Sequence, residues 1–312
     1  MTKIIFMGTP DFSVPILKEL HKVYGVDLVI SQPARPVGRK KVMTDPPVAA
    51  AAKLLGIELY QPETMTSEEA LERVSDINPD LIVTAAFGQL LPESILNIPV
   101  NGALNVHASL LPKHRGGAPI HRAVINGDSK TGVTIMYMAK KLDAGDIISS
   151  ESINITDSDN TGSLFDKLSR VGASLLMETL PDVLTGKNPR TPQNDKEATF
   201  SPNISKSDEV ITFNKGAKDV FNHIRGLAPW PVGHTILDGK RLKIYSAELT
   251  EINTDAAPGT ITGQSDNGFF VAAKDKLVNI TEVQLAGKKK NNALDFINNN
   301  SALIGRKLGE SE

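Results

Sequence analysis

The sequence contains no cysteine among its 312 residues. Disulfide bonds, thiolate metal sites and a cysteine nucleophile are therefore excluded, and the composition suits a reducing compartment. The chain also lacks an excess of charge of either sign, since its formal net charge is -2 and its isoelectric point is about 6.3. A strongly basic chain is the usual indication of a nucleic-acid partner, so any such partner has to be bound by a local patch.

Long apolar runs and common nucleotide-binding motifs are absent as well. The first residues, MTKIIFMGTP, hold an apolar run too short for a signal peptide, and no stretch of about 18 apolar residues could cross a membrane. We therefore expect a soluble, cytoplasmic protein. The turn GTPDFS after the first apolar run lacks the second and third glycines of a dinucleotide fingerprint, and no GxxxxGK-S/T phosphate loop is present. A nicotinamide cofactor is not expected.

The first half of the chain alternates short apolar runs with helical patterns. The runs are KIIFMG at 3–8, VDLVIS at 26–31, IELY at 57–60, DLIVTAA at 80–86 and GALNVH at 102–107. Alternation of this kind predicts an α/β fold with a Rossmann-like, mainly parallel sheet that binds its ligand beyond the carboxyl ends of the strands. Two further runs, at 132–139 and 146–155, predict an antiparallel addition, and the spacing of apolar residues after position 160 predicts a long helix.

The pattern changes in the last third of the chain. Residues 186–204 are polar and contain three prolines, which is typical of a linker, and several short strand-like runs with turns follow one helix near 217–227. Many short strands indicate a small barrel or sandwich. We expect a catalytic domain at 1–188, a linker at 189–204 and a smaller C-terminal β domain at 205–312.

The segment NVHASLLPKHRGGAPIHRA, residues 105–123, carries the strongest chemical signal. In a strand, Asn105 and His107 project from the same face, while Leu104 and Val106 pack the other way. An imidazole can take up or relay a proton, and an adjacent carboxamide can donate to an oxygen that gains negative charge. The pair predicts acyl transfer through a tetrahedral intermediate.

A carboxylate that orients the imidazole is expected nearby, and the turn LDAGD supplies two candidates. Asp143 precedes a small residue and a glycine, and it is our first choice. Asp146 begins the next strand, where capping or turn structure is the more ordinary task. Taken singly, an Asn-x-His pair and an Asp-x-Gly turn are each also typical of ordinary structure.

A metal site and a basic arm are two further interpretations. His107, His114 and His121 recur every seven residues, which would align them on a helix, but Pro112, Gly116, Gly117 and Pro119 exclude that helix and hence the metal site. Residues 32–47, QPARPVGRKKVMTDPP, hold four positive charges, four prolines and one aspartate. They form either a solvated surface loop or a mobile arm that contacts phosphates.

Together these motifs resemble the folate-dependent formyltransferases, and among them those that act on initiator tRNA. MGTPDFS, QPARPVGRKK, AAFGQLLP, NVHASLLPKHRGGAPIHRA, GVTIMYM, LDAGDI, LAPWPVGH, APGTI and QLAGKK follow the family's order over the full length. The resemblance implies the formyltransferase fold with an OB-like C-terminal β-barrel that binds tRNA. It also implies formyl transfer from 10-formyltetrahydrofolate to initiator methionyl-tRNA, without a metal. The sequence does not reveal the oligomeric state, and we expect a monomer.

The resemblance also implies which residues form each site. Asn105, His107 and Asp143 match the catalytic triad. The main chain of Ser109, Leu110, Leu111 and Pro112 matches the segment that holds tetrahydrofolate, with Phe87, Gln89 and Leu90 on the other side of the pterin pocket. The loop at 32–47 matches the insertion that recognises the acceptor end of the tRNA, and there Arg39 ranks first, followed by Lys40 and Lys41. Lys240, Lys243, Lys288 and Lys289 are the candidates for contact with the tRNA body.

Three other functions remain open. Glycinamide ribonucleotide formyltransferases resemble only the first domain, and sugar-nucleotide formyltransferases keep a similar second domain but are expected to lack the insertion at 32–47. A non-catalytic RNA-binding module is a remote alternative, because all three positions of the triad are filled.

Overall fold

The computed structural model describes residues 2–38 and 40–309. It divides into two compact units. The first comprises residues 1–119, 131–153 and 165–201, and the second comprises residues 120–130, 154–164 and 202–312. The boundaries expected from the sequence, 1–188, 189–204 and 205–312, stay a prediction.

Fifteen strands and eight α-helices follow one another along the described chain. In order they are β1 (Ile4–Gly8), α1 (Ser13–Tyr24), β2 (Leu28–Ile30), β3 (Arg35–Val37), β4 (Val42–Thr44), α2 (Pro47–Leu55), β5 (Leu59–Tyr60), α3 (Glu68–Ile77), β6 (Leu81–Ala85), α4 (Glu93–Leu96), β7 (Ala103–His107), α5 (Pro119–Ile125), β8 (Lys130–Tyr137), β9 (Ile147–Asn154) and α6 (Thr161–Leu184). After them come α7 (Ala217–Gly226), β10 (His234–Leu237), β11 (Lys240–Asn253), β12 (Ile261–Gln264), β13 (Phe269–Ala272), β14 (Lys276–Leu285), β15 (Asn291–Asn292) and α8 (Ala293–Asn298), with short 3₁₀ helices at Asp195–Glu197 and Ser301–Leu303.

The first unit is built on a seven-stranded sheet in the order β5-β2-β1-β6-β7-β8-β9. The pairs from β5 to β7 are parallel, and β8 pairs antiparallel with β7, so the predicted fold class and the antiparallel addition are confirmed. Strands β1, β2 and β6 are buried at every residue. Continuous apolar runs are typical of parallel strands that are covered on both faces.

The two faces of this sheet have different covers. Apolar residues of α3 and α4 pack on one face, against Ile5, Leu28, Ile82 and Ala103. On the other face, a methyl group added to Gly172 in α6 would lie 2.9 Å from Val106 Cγ1. Alternate residues of β7 therefore face different layers, and Asn105 shares a face with Ala103.

Residues 32–47 are more regular than the sequence indicates. Strands β3 and β4 pair antiparallel as a hairpin, with Arg35 opposite Thr44 and Val37 opposite Val42. All six strand residues are exposed. The predicted loop is thus a two-stranded arm. Its four prolines favoured a loop in the sequence because proline disfavours a central strand, although it is tolerated at an edge.

The second unit holds an antiparallel sheet in the order β10-β11-β14-β13-β12, with β15 paired to β14. Its core comes from the inward residues of these strands and from α7 and α8, including Ile224, Ile244, Phe269 and Phe296. Among the described residues the pairings form an open path that is consistent with the predicted OB-like barrel. Among the described residues of both units, no helix is long and apolar enough to span a membrane.

Candidate active site

The candidate site is centred on the last residues of β7. In the register of the sheet, Asn105 lies opposite Thr84 of β6, and His107 lies opposite Thr134 of β8. The two side chains are two residues apart in a regular strand, so they leave the same face. The structure therefore brings together the amide and the imidazole that the sequence predicts as neighbours.

The amide of Asn105 is oriented by a buried hydroxyl. Thr84 Oγ1 donates to Asn105 Oδ1 at 2.9 Å and also lies 3.0 Å from Leu104 O. Because the carbonyl end of the amide faces Thr84, the Nδ2 end is turned away from it and can donate to another group. Thr84 is a residue that the sequence reasoning missed. Its signal was a polar side chain at the end of the apolar run DLIVTAA.

Both ring nitrogens of His107 face oxygen atoms of the chain. Nε2 lies 3.0 Å from His114 O, and a carbonyl oxygen can only accept, so Nε2 carries a hydrogen in this contact. Nδ1 lies 3.7 Å from Asp143 Oδ1, which is an ion-pair distance rather than a hydrogen bond. The imidazole and the carboxylate are both largely buried, with side chains 7% and 11% exposed. A proton on Nδ1 would thus be held by a poorly solvated negative charge.

Asp143 is held in place by the backbone around it. It adopts the left-handed region with φ of +48°, and its Oδ2 accepts a hydrogen bond from Gly116 N at 2.8 Å. The turn needs a glycine two residues later, because a Cβ at Gly145 would lie 1.9 Å from Tyr137 O. Asp146, the competing carboxylate, instead accepts from Arg190 Nε at 3.2 Å. Of the two aspartates, Asp143 is the one placed beside His107.

The segment at 109–112, which the resemblance assigns to tetrahydrofolate, is fixed by hydrogen bonds within the chain. Thr134 Oγ1 donates to Ser109 O at 2.7 Å and lies 3.2 Å from the donor Leu111 N. Ser109 and Leu111 are buried, whereas Leu110 and Pro112 are half-buried. The chain itself thus holds the backbone of this segment, and its role in folate binding stays a prediction.

The three residues expected on the other side of the pterin pocket differ in exposure. Phe87 is buried, and the side chain of Gln89 binds the main chain at Met65 N and Pro62 O, at 2.9 and 3.2 Å. Leu90 is 75% exposed. Gln89 thus holds its own loop in place, and Leu90 is the member of this group whose side chain is most open to a ligand.

A cavity of about 630 Å³ opens in the first unit beside the start of β7. Its lining includes Leu96, Ala103 and Met138, and the sulfur of Met138 lies 3.4 Å from Thr84 Oγ1. Its volume is typical of small-molecule sites. The lining comes from three separate segments of the chain, and none of the predicted site residues lies in it.

The basic candidates are placed as follows. Arg39 lies outside the described residues. Lys40 and Lys41 are exposed in the turn of the β3–β4 hairpin, Lys240 is exposed and Lys243 half-buried in β11, and Lys288 and Lys289 are exposed after β14. In β11 the side chains of Arg241 and Lys243 share the outward face, since Leu242 and Ile244 are in the core. Arg241 is therefore a better companion for Lys243 than Lys240 is.

Within the described ranges, no group of three His, Asp or Glu side chains is placed to hold a metal ion. The three histidines that recur every seven residues are in a strand, a loop and a helix. His121 lies in α5, where burial lowers the pKa of its imidazole.

Comparison with known proteins gives consistent matches over the whole chain. Models described as "Formyl transferase" and "Formyl transferase, C-terminal domain" match residues 2–180 and 203–301. The chain is 56% identical over 312 residues to a methionyl-tRNA formyltransferase of Macrococcus caseolyticus, with all of both chains covered. It is 54% identical over 310 residues to that of Staphylococcus aureus, a match that covers 99% of this chain and 100% of the relative.

Solved structures match at lower identity. An N-formyltransferase from Helicobacter canadensis, in complex with folinic acid and dTDP-3-aminofucose, has a TM-score of 0.66 at 18% identity. The match covers 93% of this chain and 100% of that one. At such low identity the likeness shows a shared fold and nothing more.

Proposed function

This chain belongs to the formyl transferase family, and we propose that it transfers the formyl group of 10-formyltetrahydrofolate to the amino group of methionyl initiator tRNA. The product is N-formylmethionyl-tRNA for translation initiation. The observation that carries this proposal is the 56% identity, over the full length of both chains, to a methionyl-tRNA formyltransferase. The grouping of Asn105 and His107 on one face of β7, with Asp143 beside the imidazole, supports it with chemistry that suits acyl transfer.

In the proposed reaction, the amine of methionine attacks the formyl carbon, a C–N bond forms, and the bond to the donor nitrogen then breaks. Asn105 Nδ2, which Thr84 leaves pointing away from itself, donates to the oxygen that becomes negative. His107 Nε2 exchanges its bond to His114 O for that same oxygen, while Asp143 supports the charged imidazole. The proton lost by the amine reaches the leaving nitrogen with the help of Asp143.

The donor is a folate, and the features of this chain fit a flat heterocycle. The segment at 109–112 follows β7 directly, and hydrogen bonds with Thr134 fix its backbone. Leu90 adds an exposed apolar side chain on the loop after β6. We propose that Leu90, with Phe87, Gln89 and the segment at 109–112, binds the donor.

The acceptor is proposed to be held by positive charge from both units. In the first unit the exposed hairpin of β3 and β4 presents Lys40 and Lys41, and Arg39 directly precedes them in the sequence. In the second unit Arg241 and Lys243 share an outward face, and Lys288 and Lys289 are exposed. Domains at 1–188 and 205–312, joined by residues 189–204, would thus serve catalysis and tRNA binding in a cytoplasmic monomer.

A transfer assay with labelled 10-formyltetrahydrofolate tests the proposal. The acceptor panel contains charged initiator tRNA, charged elongator tRNA, glycinamide ribonucleotide and an amino-sugar nucleotide. Label is expected on initiator methionyl-tRNA, and the reaction rate below saturation should fall steeply with salt, because each phosphate contact releases counterions. Efficient labelling of either small acceptor, with weak salt dependence, would overturn the assignment.

A further inference from the structure

Arg115 is a fully buried cation immediately beside the candidate site. Its side chain is 0% exposed, and its neighbours in sequence, His114 and Gly116, are the residues whose backbone contacts His107 and Asp143. A buried charge is costly unless each of its donors is satisfied. The groups that satisfy Arg115 therefore help to hold the two neighbouring backbone groups, together with the backbone bonds of Arg115 to Thr199 O and from Ser201 N.

Two of the hydrogen bonds that Arg115 donates go to one side-chain amide, that of Gln193, in the segment that the sequence predicts to be a linker. Gln193 Oε1 accepts from Arg115 Nε at 3.0 Å and from Nη2 at 2.8 Å. The remaining nitrogen, Nη1, donates to Asp195 Oδ1 at 2.8 Å. Asp195 is itself largely exposed, and hydrogen bonds from Lys141 and Arg115 hold its pKa below the ordinary value.

The other end of the same amide holds the turn that carries the catalytic carboxylate. Gln193 Nε2 donates to Asp143 O at 2.9 Å and to Gly145 O at 2.8 Å. One side chain thus links the backbone of the Asp143 turn to the guanidinium beside His114 and Gly116. Only a neutral amide can do this, since it must accept from a guanidinium and donate to two carbonyls at once.

These bonds close a ring beside the imidazole. From Gln193 the ring passes through Arg115 to Gly116, whose N–H binds Asp143 Oδ2, and returns through Asp143 O to the amide. His114 O, on the other side of Arg115, binds His107 Nε2. A shift of either loop would change the distance between Asp143 and His107, and the ring opposes that shift.

We propose that Gln193 is a positioning residue, which fixes the Asp143 turn and the 114–116 loop relative to His107 so that the carboxylate and the carbonyl hold the imidazole from both sides. Its catalytic consequence rests on the proposed function. The geometric part concerns the free protein and can be measured without any substrate.

The test is Gln193→Glu, which replaces the donating NH₂ group of the amide by an oxygen and keeps the accepting oxygen. The carboxylate still accepts from Arg115 and adds an ion pair, but it cannot donate, and it repels the carbonyls of Asp143 and Gly145. We expect an unchanged Tm, a kcat lowered by about tenfold or more, and KM values for tRNA and folate within about twofold of wild type. Gln264→Glu, which adds the same charge at an exposed position of β12, is the control and should match wild type in all three.

A second readout is the ¹⁵N spectrum of the histidine rings in the free protein. In wild type, the His107 signals, assigned with a His107→Gln variant, should report a hydrogen on Nε2. In Gln193→Glu these signals should move, whereas in Gln264→Glu they should not. A wild-type kcat in Gln193→Glu would overturn the proposal, and so would unmoved His107 signals. If wild type formylated no tRNA, the proposed function would fail, while the ring spectra would still decide whether Gln193 positions His107.

Discussion

Replacement of Asp143 by Asn removes the negative charge of this side chain and keeps its shape. Asn can keep the hydrogen bond from Gly116 N by its oxygen, so the turn is expected to persist, and its NH₂ then faces His107 Nδ1. The substitution removes a negative charge 3.7 Å from that nitrogen, in a place where both side chains are almost excluded from water. With an effective dielectric constant near 20, a charge pair at this distance is worth about 4 kcal/mol.

If the imidazole is charged in the transition state, that loss appears in the rate. About 4 kcal/mol corresponds to roughly three orders of magnitude in kcat. The assay is single-turnover transfer of labelled formyl to charged initiator tRNA at saturating concentrations, with Tm measured in parallel. Asp146→Asn is the matched control, because it removes an exposed pair with Arg190 and should leave the rate unchanged. A folded Asp143→Asn enzyme within about tenfold of wild type would refute the electrostatic role.

Three further predictions concern other parts of the molecule. Thr84→Val removes the hydroxyl that orients the Asn105 amide and keeps the shape of the side chain. It should lower kcat severalfold in single-turnover assays, and it should lower the free energy of unfolding by about 1 kcal/mol in thermal unfolding. Arg122 donates to both oxygens of Asp208 and lowers the pKa of that carboxyl. The contribution of this ion pair to stability is therefore full above about pH 4 and is lost as the pH falls. Asp208→Asn should accordingly lower Tm at pH 7 and lower it much less near pH 2, and an equal deficit at both pH values would contradict this. Arg39→Ala should raise KM for tRNA or lower kcat while folate binding, followed by fluorescence titration, stays unchanged.

The sequence predicts β7 and its two polar residues because the relevant pattern is local. The alternation of Leu104 and Val106 with Asn105 and His107 fixes which side chains share a face, whatever the strand packs against. The choice of Asp143 over Asp146 also came from local turn chemistry, and the structure places Asp143 beside the imidazole. These features depend on a few consecutive residues, which is why they can be read from the sequence.

The supporting groups could not be found this way because they come from distant segments. Thr84 is brought beside Asn105 by the pairing of β6 with β7, and Gln193 reaches Asp143 from 50 positions away. His114 contributes a carbonyl oxygen, which every residue has, so its side chain gave no indication of the contact. The polar, proline-containing composition of 186–204 is typical of a linker and does not indicate that Gln193 bonds to Arg115 and to the turn of Asp143.

Single-turnover formyl transfer by His107→Ala tests the main claim, that the buried ring on β7 takes part in the chemical step. Circular dichroism should first establish that the variant is folded and saturating substrates should then be supplied. We predict a rate at least about two orders of magnitude below wild type, as for other lost acid–base or oxyanion groups. A folded variant that turned over at nearly the wild-type rate would contradict the account.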